Sequence, residues 1–461
     1  MLKKYRELVI SAIIVVIYIF LNHAPIFVQL VLCTFIIGVI FFATSYHTQI
    51  LFLLCISIPK IGEIGSGFVS GINITSILIF IFIPFVLINS FKVINKKQIK
   101  LFAPIFIFTI YHSFSLLYGL AISEYDFSGS FLLSNIRDIL IYSFIIIYLI
   151  FLPIKTIHKY EITNIFIFIC VIAAAYELFD SLNSAYILGT GNWTELKDLN
   201  LAEYTLGIEP VFYLIPLNLI LSMLLNFDNY NYKRLHLAGL IIILFTILFS
   251  LQRTVLILTI LNIIVLTFPK IKNNTSIAGL LLLSMPILLY LVIKILPVVS
   301  MINDTFSSAT SSNVYGINID TSGRWDKQWP FAIATWKSAP YLGIGHSQII
   351  LMGFWNRYSN REKTQGVALA LNTHNVYLEY LVQGGLIGLI FVIWFCYKIG
   401  KIMFNNSRKK LILDKYYSTL NSGLFSFWIV FLFTNILNSY FWTSGTLLPF
   451  IILYTLWGNK A

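Results

Sequence analysis

Hydrophobic positions in this chain fall in long unbroken runs. They neither alternate as in strands nor recur as one face of a surface helix. The runs lie near 8–22, 26–43, 48–59, 74–91, 101–120, 137–152, 162–180, 208–226, 236–251, 254–269, 277–297, 374–397, 417–438 and 444–458. A membrane-crossing helix needs about 20 apolar residues. A transmembrane barrel would show alternating strands instead. The third, ninth, tenth and fourteenth runs are short, so the pattern predicts about 12 to 14 spans. The expected fold is an all-α polytopic membrane protein. The opening MLKKYRELVISAIIVVIYIFLN has the look of a signal peptide but no small-x-small cleavage site, and it reads as an uncleaved first span.

Composition narrows this further. Of the 461 residues 58% are hydrophobic and 11% charged, where a soluble domain carries about 25% charged residues. That argues against a soluble enzyme, and aromatics at 16% argue against disorder. The net charge of +12 invites a nucleic-acid reading, but the basic residues sit in short clusters between apolar runs. That is the pattern of topology determinants. With Lys3, Lys4 and Arg6 placing the N-terminus in the cytoplasm, the even-numbered connections fall inside. They hold Lys92, Lys96, Lys97 and Lys100, then Lys155 and Lys159, Lys233 and Arg234, Lys270 and Lys272, and the group Lys398 to Lys415. With Lys460, these place 20 of the 31 basic residues on the inner side, and 15 of the 19 acidic residues fall outside or near the outer boundary. The runs are defined by hydropathy alone, so the agreement of the charges supports the topology.

Two outer loops stand out, near 181–207 and 298–373. The second divides the chain into N-terminal helices (1–297), a long extracytoplasmic loop (298–373) and C-terminal helices (374–461). Loops this long are uncommon and often functional. Cys33, Cys55, Cys170 and Cys396 all lie in apolar runs and read as small hydrophobes, without disulfide or metal spacing.

The long loop carries the candidate chemistry. Trp325, Trp329, Ala332, Ile333 and Trp336 recur at helical spacing, predicting an amphipathic helix over Trp325–Ser338. Ser322 is a candidate cap, and Pro330 demands a kink or a later start. Tryptophans on such a helix suit a membrane interface. Pro340-Tyr341-Leu342-Gly343-Ile344-Gly345-His346 reads as a tight turn. Asn372-Thr373-His374-Asn375 precedes an apolar run, with Asn372 or Thr373 as the expected cap and His374 in the first turn. A histidine there should stay uncharged and able to accept a proton. Gly384 and Gly388 form a small-xxx-small pair suited to helix packing. Arg253 lies between two apolar runs, where an arginine is costly and reads as functional. No acidic cluster suits a metal; Asp320 and Asp326, flanking Arg324, read as orienting that arginine.

This ordered set resembles the O-antigen ligase and polymerase family of bacterial membrane glycosyltransferases. The resemblance is carried by Ser322-Gly323-Arg324, Trp329, Pro340, Gly343, Gly345, His374-Asn375, Leu378 and Gly385-Leu386-Ile387-Gly388, with Arg253 upstream. It implies a GT-C type enzyme of the cytoplasmic (inner) membrane, working at the extracytoplasmic face without metal or other cofactor. It implies a donor glycan on undecaprenyl diphosphate and a glycan acceptor: a second lipid-linked repeat for a polymerase, lipid A–core for a ligase. The expected product is a surface polysaccharide such as O-antigen or capsule, with a chain-length regulator as a further partner and no role for nucleic acid. Under the resemblance Arg324 and Arg253 hold the diphosphate and His374 is the base or acceptor-positioning group. Trp329, His346 and Asn375 join the substrate site. A flippase for lipid-linked oligosaccharide is the competing class. It would place charges inside the spans, where few occur.

Overall fold

The computed structural model describes residues 46–57, 96–122, 156–188, 210–227, 230, 232–249, 253–267, 329–345, 375–408, 415–437 and 444–458, with scattered helical positions between 136 and 149. Among them there is no strand. In chain order the helices are α1 (Tyr46–Ile56), α2 (Lys96–Ile122), α3 (Thr156–Leu188), a 3-10 turn (Pro210–Tyr213), α4 (Leu214–Asn226), α5 (Lys233–Phe249), α6 (Arg253–Thr267), α7 (Trp329–Ser338), α8 (Val376–Ser407), α9 (Lys415–Leu437) and α10 (Ser444–Gly458). The runs expected near 8–22, 26–43, 74–91 and 277–297, and most of the long loop, lie outside the described residues.

The chain is an all-α membrane protein. Four helices are long and apolar enough to cross a bilayer, with spans at 99–121, 159–179, 376–407 and 415–436. Three more apolar helices are shorter. The helices outrun the apolar runs that announced them. α3 extends to both sides of 162–180, and α8 continues ten residues past 397 through Lys398, Lys401 and Asn406. Hydropathy marks the part of a helix that oil would accept, whereas the backbone ladder continues wherever the residues tolerate it. α8, at 32 residues, is about 48 Å long, against an apolar bilayer thickness of about 30 Å.

α4 is the central post. Every residue from Leu214 to Leu225 is buried, with α9, α5, α6 and α3 packed around it. α9 meets it at Gly423, which lies against Ser222 Oγ and the Asn218 carbonyl. Aromatic rings fill the space between α8, α9 and α10: Trp428 stacks on Phe450 at 4.8 Å and meets Phe395 edge-on at 6.1 Å. The polar ends of these rings are satisfied. Trp428 Nε1 donates to the Cys396 carbonyl at 3.1 Å, and Trp457 Nε1 to Thr163 Oγ1 at 2.8 Å. Cys170 and Cys396 are both buried among apolar side chains.

Candidate functional site

α7 is described from Trp329 to Ser338; Trp325, where the tryptophan spacing would start it, lies outside the described residues. Pro330 is the second residue of this described span, and a residue without an N–H fits the first turn of a helix. Ala332 and Thr335 are buried on its inner face, against α8. Ile333, expected on that face, points outward at 39% exposure. The small side chains allow close approach, and the branched one is left on the apolar surface.

After α7 the chain makes the turn that Pro340–Gly345 predicted, and this turn is spliced into α8. α8 is broken at Gly385 (φ 61°, ψ −157°), a conformation open essentially to glycine alone. The break leaves α8 backbone groups without their usual partners, and the turn supplies them. Ile344 N donates to the Val382 carbonyl at 3.0 Å and Gly345 N to the Gln383 carbonyl at 2.8 Å. In return Leu386 N donates to the Pro340 carbonyl at 2.9 Å and Ile387 N to the Tyr341 carbonyl at 3.3 Å. Trp336 Nε1 also reaches the Pro340 carbonyl, at 3.1 Å, tying α7 to the same point.

The glycines of the motif are therefore explained by contact. Gly343 and Gly345 both have positive φ, 68° and 82°. A Cβ on Gly343 would collide with the Gln383 backbone, one on Gly345 with the backbone of Gly119 in α2, and one on Gly385 with the Tyr341 carbonyl. Gly384 and Gly388 form the packing notch expected of them, and it receives the Tyr111 hydroxyl of α2. α2 runs antiparallel to α8 through this region. Tyr111 stacks on Phe391 at 5.0 Å and Phe108 on Phe395 at 4.3 Å.

Beside the splice lies an apolar groove of about 400 Å³. Its walls are Ile107, Ile110, Phe114 and Tyr118 of α2, Leu342 of the turn, and Ile387 and Phe391 of α8. Buried polar side chains are also carried by the elements of this junction: Ser115, which lines the groove, and His112, Thr335, Asn375, Tyr380 and Gln383.

The helix cap corrects one expectation. Asn375, not Asn372 or Thr373, caps α8, its Oδ1 accepting from Leu378 N at 3.1 Å. Its extended backbone and short carbonyl side chain suit that position. His374 thus precedes the cap instead of occupying the first turn, so the dipole argument for its charge state loses its basis. Of the expected site residues, Trp329 starts α7 and Asn375 caps α8, two helices packed on each other. Arg253 is the first residue of α6, which packs on α9 and α4. Arg324, His346 and His374 lie outside the described residues. Among the described residues no three of His, Cys, Asp and Glu gather to hold a metal ion.

Sequence reading missed α2's part in the site: Tyr111, His112, Ser115 and Gly119. The signal was present in Tyr111-His112-Ser113, a polar stretch inside a span, where ionisable residues read as functional.

No curated protein matches this chain. The family model described as O-antigen ligase matches residues 238–393, from α5 through α6, α7, the glycine turn and the broken part of α8. Over 238–393 the chain is therefore similar to O-antigen ligases, and this similarity supports an activity of the O-antigen ligase/polymerase type in general.

Proposed function

We propose that this protein is a glycan polymerase of the cytoplasmic membrane that joins repeats carried on a polyprenyl diphosphate. The observation that carries the lipid-linked donor is the apolar groove, whose wall includes Leu342 of the motif turn and which adjoins the glycine splice within the matched segment. An isoprenoid tail lying there would present its diphosphate to the loop that bears the motifs. The excess of cations between the other runs supports an extracytoplasmic position for that loop, 298–373.

In this reading Arg324 and Arg253 clamp the diphosphate. Charge develops on the leaving diphosphate as the glycosidic bond breaks, and a guanidinium fork matches phosphate oxygens without losing its charge. His374 takes the proton from the acceptor hydroxyl as that oxygen attacks the sugar. Asn375 fixes the start of α8 behind it, and Trp329 and His346 line the sugar-binding side. Arginines meet the charge of the diphosphate, so the step runs without a metal.

Surface polysaccharide from a deletion strain tests the choice of acceptor. Single repeats on lipid A–core are the expected result. Bare core with polymer retained on the carrier would make the protein a ligase. Repeats accumulating on the cytoplasmic side would make it a flippase. With purified protein, Arg324→Lys should slow turnover roughly 100-fold and EDTA should leave it unchanged; inhibition by EDTA would replace the clamp with a metal-assisted mechanism.

A further inference from the structure

The break at Gly385 isolates the first part of α8. Residues 376–384 form a half-helix that the regular hydrogen-bond ladder does not hold in line with the rest. Its orientation depends on ties made by its own residues, and among the described residues hydrogen bonds run from it to three different elements. At its lower end the Val382 and Gln383 carbonyls are held by the glycine turn. Tyr377 Oη donates to the Leu432 carbonyl of α9 at 3.1 Å. On the third side Tyr380 Oη and His112 Nε2 of α2 share a hydrogen bond.

The third tie is chemically costly to place. Both partners are buried, His112 at 1% and Tyr380 at 5% exposure, among rings. Phe108 stands edge-on to the imidazole at 4.8 Å, and Tyr380 faces it edge-on at 5.3 Å. An apolar pair of the same size would pack there without needing a mutual partner. What the polar pair adds is direction: a hydrogen bond is satisfied over a narrow range of angles, whereas apolar contact tolerates rotation and sliding. His112 also lies outside the matched segment, so the contact joins the family's motif helix to a part of the chain that the match does not cover.

We propose that His112 and Tyr380 are positioning residues, which fix the rotation of the 376–384 half-helix and so the end at Asn375. The consequence for turnover rests on the transfer reading above; the orientation itself does not. Tyr380→Phe keeps the ring and loses the bond, as does His112→Leu from the other side. His112→Gln keeps a side chain able to donate or accept.

Two measurements test the proposal. Spin labels at Leu381→Cys and Ile393→Cys straddle the break at Gly385 and report the bend of α8 in the full-length protein in lipid. The distance distribution should broaden in His112→Leu and Tyr380→Phe and return to the parent width in His112→Gln. An unchanged distribution in His112→Leu sinks the proposal whether or not the protein transfers glycan. In the second measurement, turnover of a polyprenyl-diphosphate glycan should fall roughly 10- to 100-fold in each single variant, with KM within about twofold. The double variant should be no slower than the slower single, because both remove one contact. His112→Gln should recover most of the rate with the pH profile unmoved. Additive losses would mean independent roles, and a shifted pH profile would mean that His112 itself exchanges the proton; either overturns the positioning role. If the unaltered protein transfers nothing from any carrier-linked glycan, the transfer reading fails while the spin-label result still decides the orientation.

Discussion

The splice between the glycine turn and α8 and the aromatic core between α8, α9 and α10 are held by opposite means. In the core, Trp428 touches Phe395, Phe431 and Phe450, so no single contact decides its place. In the splice, four backbone bonds and three positive-φ glycines leave no second arrangement. The core distributes its stabilisation over area, about 25 cal/mol for each Å² of apolar surface removed from water. A few directional contacts, each sensitive to a single methyl group, hold the splice. Area suits a scaffold that must persist. Direction suits a place where a reacting group has to be aimed.

The largest effect should come from Gly385→Ala. The new Cβ meets the Tyr341 carbonyl, and the backbone must leave a conformation that costs a non-glycine residue about 1–3 kcal/mol. Transfer should drop at least 100-fold while the protein remains in the membrane. Wild-type polymer in this variant would reduce the splice to ordinary packing. Next is Trp428→Ala, which opens a cavity and should cost about 3–5 kcal/mol. That loss should show as a lower melting temperature in detergent with near-normal turnover well below it. If turnover at low temperature fell as far as in Gly385→Ala, the contrast between the two regions would collapse.

Smaller effects sharpen the contrast within the splice. Gly384→Ala meets only the end of the Tyr111 side chain, which can swing aside. Turnover should fall roughly tenfold, about 1.4 kcal/mol, and Tyr111→Phe in the same chain should recover part of it. No recovery would mean that the notch serves something other than the hydroxyl. Asn375→Ala removes the cap of α8 at about 1 kcal/mol, visible as faster hydrogen exchange at Leu378 N with little change in overall melting. Ile257→Ala, at a position 60% exposed on α6, should change neither melting nor turnover beyond about 0.5 kcal/mol.

Much of this was legible in the chain because oil selects for it. The runs near 101–120, 162–180 and 417–438 became α2, α3 and α9, since a span announces itself by composition alone. The turn at Pro340–Gly345 was legible because glycine at such spacing has few other uses. The break in α8 was not. Gly384-Gly385 lies in a continuous apolar run, and only a partner some forty residues upstream makes a kink there affordable. The cap moved to Asn375 for a related reason: several short polar residues in Asn372–Asn375 suit a cap, and packing chooses among them. Tyr111, His112 and Gly119 stayed hidden because their meaning depends on contacts more than 200 residues away. Trp329 and Asn375 lie on adjoining helices, and the roles of these two and of Arg253, Arg324, His346 and His374 rest on the motif.

The seat of Gly345 on Gly119 also imposes a schedule on synthesis. Gly119 leaves the ribosome 226 residues ahead of Gly345, and Gln383 follows later still. At about 5–20 residues per second, α2 waits roughly ten seconds or more for its partners. When the turn emerges, the α8 carbonyls that its N–H groups will meet have not been made. Unpaired amides are costly in lipid, so the turn must stay near water until α8 arrives. A chain released between Gly345 and Val376 would carry the turn with no partner to close on, and the membrane's quality control would meet it in that open form.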